Sequence, residues 1–261
     1  MPEVNIKFLR EYFGWLVHNR KWFGTRMIVQ KLFVDFLLVT GLDTFLSRST
    51  RWKLAHEFHW RWKVMCLAVN GEFGYNKISD STSVDSFMNF YGTGVDFSGK
   101  VLVDVGCGIR GCLPVVLAKE KVGVDPIIGV LSGKVNFPEG KYISARAEDI
   151  PLCDDYADVV VCSNALNHFE DPRKSLKEIY RILKNDGVLL VQVYIEPKSI
   201  SHTFEFTLEE CRSLICEMFT PVVERVGKVP VIGGGLVVEE LRNIPARYGG
   251  VFKKKLGLSV L

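Results

Sequence analysis

Three glycines and two carboxylates carry the first chemical signal in this chain. Gly106, Gly108 and Gly111 follow a short apolar run, Val101–Val105, and Asp104 stands two residues ahead of the first of them. Glycine is needed where a backbone turns sharply and lets a ligand approach closely. A second carboxylate, Asp125, closes the next apolar run in VGVDP. A carboxylate placed there can accept hydrogen bonds from both hydroxyls of a ribose. Glycine turns of this kind also cradle dinucleotides, but a pyrophosphate is anionic and Asp104 would repel it. A cationic ligand suits the position on electrostatic grounds.

Candidate proton-transfer groups come later in the chain. His168 lies in SNALNHF, directly after the apolar run DVVVC. With an ordinary pKa of about 6.5, it can take a proton from a hydroxyl nucleophile. A packing or capping histidine ahead of Asp171 is the competing assignment. Glu196, Tyr194 and His202 follow the next apolar run and are further candidates. No cluster of His, Asp and Glu shows metal-ligand spacing, so no metal is expected.

These residues must be positioned by alternating strands and helices. Strands are predicted at Val101–Val105, 122–124, 142–143, 158–162, 188–194, 222–226 and 236–241. A helix is predicted over 113–119, with Pro114 in its first turn. Asp171 can cap a helix that starts at Pro172 and turns Leu176, Ile179 and Leu183 inward. Thr207 and Glu210 form a capping-box pattern before another helix. Such alternation implies a doubly wound parallel sheet.

The N-terminal quarter differs in kind. Residues 1–63 hold 11 Lys+Arg against 5 Asp+Glu and all five tryptophans, although the whole chain is only +3. Residues 4–70 read mainly as helix, from the spacing of Phe8, Tyr12 and Trp15 and of Phe33, Phe36 and Leu37. Residues 71–99, rich in Gly, Ser, Asp and Asn, read as a connector. The expected division is a cap and connector over 1–84 and one domain over 85–261. The cap has three readings: a simple helical cover with core aromatics, a lid over an acceptor pocket, or a peripheral membrane contact to which Lys253, Lys254 and Lys255 would add. The apolar stretch 27–42 is interrupted by Gln30, Lys31 and Asp35, too short and too charged to span a bilayer. The seven cysteines include no CxxC pair and no N-terminal signal pattern is visible, which suits a reducing cytoplasm.

Five segments in order, VLVDVGCGIRG, VGVDP, ARAEDIPL, DVVVCSNALNHFEDP and LKEIYRILKNDGVLLVQ, resemble the class I S-adenosylmethionine-dependent methyltransferases, small-molecule branch. The resemblance covers residues 99–195 and continues more weakly to 226. It implies an α/β fold: a doubly wound, mostly parallel, seven-stranded Rossmann-like sheet, here with an N-terminal helical cap. It implies S-adenosyl-L-methionine as cofactor and a small-molecule acceptor such as a sugar, a lipid or another metabolite. By the same resemblance Asp104, Gly106, Cys107 and Gly108 surround the methionine part and Asp125 holds the ribose. Ala147 meets the adenine, with Glu148, Asp149 or backbone atoms making the polar contact, and Ser163 and Asn164 border the transferred methyl. Arg146 departs from the pattern, because the family often has an acid there and a guanidinium cannot accept a bond from the adenine amino group. Asn164 opens NALN rather than the Asn-Pro-Pro-aromatic tetrapeptide of amino-methylating nucleic-acid enzymes, so no nucleic-acid partner is expected. Two alternatives stay open: a nicotinamide-dependent oxidoreductase sharing the glycine turn, and a non-catalytic S-adenosylmethionine-binding protein.

Overall fold

Strand formation follows the β-branched runs. In the computed structural model, β1 (Val101–Val105), β2 (Glu120–Val124), β3 (Lys141–Ile143), β4 (Ala157–Ser163) and β5 (Leu183–Ile195) pair in parallel. The structure describes residues 95–108, 111–133, 136–195, 204–228 and 246–257, with isolated positions between Leu32 and Lys53. Seven strands form one sheet in the order β3-β2-β1-β4-β5-β7-β6. Here β6 (Phe219–Lys228) lies at the edge, and β7 (Ala246–Lys254) runs antiparallel between β5 and β6. The predicted mostly parallel seven-stranded α/β sheet is therefore the observed one. Strand order reverses between β1 and β4, and open α/β sheets bind ligands beyond the strands' carboxyl ends at such a point.

Both faces of the sheet are buried, as the continuously apolar strands require. Val103, Val105, Val122, Val124, Val160 and Val191 point to one face, packed beneath α2 (Pro172–Ile182) and α3 (Leu208–Cys216) through Leu176, Ile179, Cys211 and Ile215. On the other face Leu102, Val159, Val161, Leu190 and Val251 pack with Phe97, Leu113 and Val116. The helix starts are those read from sequence. Asp171 accepts from the Lys174 N–H with Pro172 at the first position, and Thr207 and Glu210 form a complete capping box. A short α1 (Ile127–Leu131) follows β2. Leu183, read as the last inward residue of α2, is instead its C-cap and the first residue of β5.

Three expectations are corrected. Residues 113–119 form a single turn and not a helix. With Gly106–Gly111 spent on the glycine turn, eight residues remain to return along a strand roughly 16 Å long, and eight helical residues would cover only about 12 Å. The chain must stay more extended, and Leu113 and Val116 still reach the core. Second, the last strand is Ala246–Lys254, whereas residues 236–241 lie outside the described residues. Third, two of the three tail lysines are used internally. Lys254 Nζ donates to Asp155 and to the Leu183 carbonyl, and Lys255 Nζ donates to the Cys216 carbonyl. They offer little to a membrane surface.

Most of the N-terminal cap and the division at residue 84 lie outside the described residues. Of the described positions there, Phe33 and Phe36 are helical, as their spacing predicts, and are 61% and 57% exposed. At these two positions the aromatics are not core. Among the described residues no helix is long and apolar enough to cross a membrane.

Candidate cofactor site

The site begins where β1 ends. Gly106 has φ +75° and Gly108 has φ +54°, in the left-handed region that favours glycine. The Gly106 and Cys107 N–H groups both donate to the Val124 carbonyl, at 2.8 and 3.4 Å, which ties the turn to the end of β2. A Cβ at Gly106 would stand 2.3 Å from Ala165 Cβ and 3.3 Å from the Phe169 ring. The turn therefore presses against the exit of β4. At Gly108 an added Cβ would meet nothing within 4 Å among the described residues, so the described part of the site leaves the backbone there uncovered.

Two buried carboxylates hold this turn from either side. Asp104, 2% exposed, accepts the Cys112 N–H through Oδ2 at 2.6 Å. A Cβ at Gly111 would lie 2.3 Å from that same oxygen, so Gly111 is the residue that lets the loop close on Asp104. Asp125, 6% exposed, accepts the Gly108 N–H through Oδ2 at 2.9 Å and the Ile127 N–H through Oδ1 at 2.8 Å. Burial pushes the Asp104 carboxyl up to about 6; the bonds from Cys112 pull the other way, and the Asp125 charge adds repulsion. Burial, reinforced by Asp104, also pushes the Cys107 and Cys112 thiols well up, so they stay protonated. Cys107 packs towards Gly123 and donates to the Gly108 carbonyl at 3.5 Å, which makes its side chain a packing element. The surroundings are anionic and stabilise a cation.

The loop after β3 supplies Ala147, buried in the core, and Glu148, whose carboxylate is already engaged. Glu148 Oε1 accepts the Glu170 and Asp171 N–H groups at 2.8 and 3.0 Å, and Oε2 faces Arg146 Nε at 3.4 Å. Arg146 Nη2 also donates to Glu170. Glu148 thus joins the loop after β3 to the start of α2 instead of presenting a free acceptor. Arg146, read as a departure from the family pattern, completes that junction.

The exit of β4 carries Ser163, half-buried, and Asn164, whose φ of +54° is one that asparagine tolerates better than most residues. The Asn164 N–H donates to the Gln192 carbonyl of β5. A 3-10 turn, Leu166–His168, follows and places His168 half-buried at the carboxyl edge of the sheet. Glu196 and His202 lie outside the described residues. Asn167, which the sequence did not single out, is buried. Its Nδ2 donates to the Tyr194 and Phe204 carbonyls, and its Oδ1 has no hydrogen-bond partner among the described residues. Among the described residues no group of three or more His, Cys, Asp or Glu side chains could hold a metal ion.

With this geometry in place, residues 103–191 match the family model described as a methyltransferase domain. The match runs through the first five strands of the sheet. Over 108 residues the chain is 30% identical to the uncharacterized methyltransferase YcgJ of Bacillus subtilis (strain 168), covering 37% of this chain and 42% of that one. Over 158 residues it is 32% identical to the ubiquinone/menaquinone biosynthesis C-methyltransferase UbiE of Haemophilus ducreyi (strain 35000HP), covering 59% of this chain and 55% of the relative. The chain thus spans about half the length of these curated relatives. Among solved structures, the cyclase SpnF shares the fold at a TM-score of 0.51 and 16% identity, over 67% of this chain and 81% of that one. The matched segment begins inside β1 and ends inside β5, so it includes both carboxylates, the glycine turn and the β4 exit.

Proposed function

We propose that the protein is an S-adenosylmethionine-dependent methyltransferase acting on a small-molecule acceptor. The observation that carries this reading is the glycine turn of the methyltransferase domain, open over Gly108 and flanked by the buried carboxylates Asp104 and Asp125. An open backbone between two anions fits a ligand whose ammonium and sulfonium are positive, and it disfavours a pyrophosphate. In this reading Gly106, Gly108 and Asp104 hold the methionine part, Asp125 the ribose, the loop at Ala147 the adenine, and Ser163 and Asn164 border the methyl. Bound S-adenosylmethionine supplies an electrophilic methyl on a neutral leaving group. The chain's own task is alignment of the acceptor in a dry pocket. His168 is the proposed base where the acceptor is a hydroxyl, with Glu196 and His202 as the alternatives. The six described cysteines are all free thiols, which supports a cytoplasmic setting.

Titration calorimetry tests the reading. S-adenosylhomocysteine is expected to bind and NAD is not. Asp125→Ala should weaken the former at least about tenfold, because hydrogen bonds to a charged group contribute roughly 1.5–3 kcal/mol. NAD binding without S-adenosylhomocysteine binding would overturn it.

A further inference from the structure

Beyond the cofactor turn, a row of polar side chains crosses three strands at the carboxyl edge of the sheet. Ser163 of β4 is the register partner of Gln192 of β5, and Tyr194, two residues on, is the partner of Arg247 of β7. Side chains alternate along a strand, so all four share the face of Leu102, Val161, Leu190 and Val251. At this edge the apolar packing of that face gives way to polar groups.

The row is organised around Arg247. Its guanidinium stacks over the Tyr194 ring, 5.3 Å from the centroid. With the Gln192 amide turned so that its oxygen faces the guanidinium, that oxygen accepts from Nη1 and Nε at 3.2 and 3.3 Å. Gln192 is 5% exposed and Arg247 is half-buried. Among the described residues no carboxylate pairs with Arg247, whereas Arg146, Arg173, Arg181 and Arg212 each meet one. A neutral amide and an aromatic ring fix the cation in place without neutralising it. A planar guanidinium held this way matches a carboxylate in geometry and charge.

We infer that Arg247, positioned by Gln192 and Tyr194, is a specificity residue that binds a carboxylate of the acceptor. The inference rests on the methyltransferase reading and deepens it by naming the acceptor class. Arg247 reaches back onto Gln192, so the carboxylate is held beside β5, one strand spacing or about 5 Å from Ser163 at the proposed methyl position. The site therefore has two charged halves: anionic at the glycine turn for the cationic cofactor, cationic at β5 and β7 for an anionic acceptor.

The test uses the full chain saturated with S-adenosylhomocysteine, with benzoate and its neutral match benzamide as probes, by calorimetry at pH 7. Benzoate is expected to bind at least tenfold more tightly than benzamide. Arg247→Gln should remove that difference while S-adenosylhomocysteine affinity stays within twofold. Gln192→Glu is the second variant. It is close to isosteric and places a carboxylate against the guanidinium, so it should also abolish benzoate binding, whether or not Arg247→Gln folds. Equal binding of the two probes, or benzoate binding that survives Gln192→Glu, overturns the inference and leaves the cofactor reading intact. Failure of the unaltered protein to bind S-adenosylhomocysteine at all overturns both.

Discussion

Asp104 is a carboxylate kept in a place that resists its charge, and its pH behaviour follows. Its folded pKa of about 6 lies above the ordinary 3.8, with burial as the main cause. Well below pH 3.8 the group is protonated in both folded and unfolded chains and costs nothing. As pH rises towards 6 the unfolded chain ionises first, so folding stability falls, and above 6 the loss is constant. A shift of this size corresponds to about 3 kcal/mol. Asp104→Asn should therefore gain stability relative to the parent between pH 4 and 6 and hold that gain above it, as read by urea unfolding across pH. A pH-independent difference would show that Asp104 does not titrate there. At this scale the glycine turn was legible because its residues are neighbours in sequence: Asp104, Gly106 and Gly108 form one local pattern, and Asp125 follows the adjoining strand. Gln192, Arg247 and Asn167 were not legible. They meet their partners only through strand register and a tertiary turn, and a lone Gln inside LLVQVY reads as an ordinary strand residue.

Elements carry the next constraint, because the glycine turn and the β4 exit occupy shared space. Gly106→Ala would impose a left-handed φ on an L side chain and drive its Cβ into Ala165. The two effects together should cost roughly 2–4 kcal/mol and weaken S-adenosylhomocysteine binding. Adding Ala165→Gly should recover the packing share and leave the backbone share, which a double-mutant cycle in chemical unfolding separates. No recovery would mean that the two loops do not touch. Helix starts were legible, since Asp171-Pro172 and Thr207 with Glu210 are local signals that the structure uses as written. The return from β1 to β2 was misread because an apolar run beside a proline looks helical, and only the distance to be covered forbids it. The last strand was not read from sequence because glycine-containing ARYGGVFKK shows a weaker apolar pattern than residues 236–241, which lie outside the described residues.

At the scale of the whole molecule, every cofactor-facing residue proposed here lies after residue 100, and the basic, tryptophan-rich N-terminal segment lies before it. Deleting residues 1–45 should therefore leave S-adenosylhomocysteine affinity within about threefold and abolish methyl transfer to any acceptor that the full chain turns over. Normal turnover by a soluble, cofactor-binding truncation would remove the lid reading. The doubly wound sheet itself was legible as a whole, because strand and helix patterns alternate over more than a hundred residues. The order of its final two strands was not, since nothing local announces that β7 enters between β5 and β6. That insertion sets a clock on synthesis. When Lys228 has been made, β5 and β6 exist with an empty lane between them, and the lane fills only when Lys254 follows. At cellular elongation rates of about 5–20 residues per second the gap lasts about one to five seconds. During it residues 188–195 of β5, the part that β7 later pairs, are an open and mostly apolar edge, and β6, which runs in the same direction, can pair with it wrongly. A nascent chain with this sheet order has a short, fixed period in which chaperone capture matters most, and stalled translation inside it would favour aggregation.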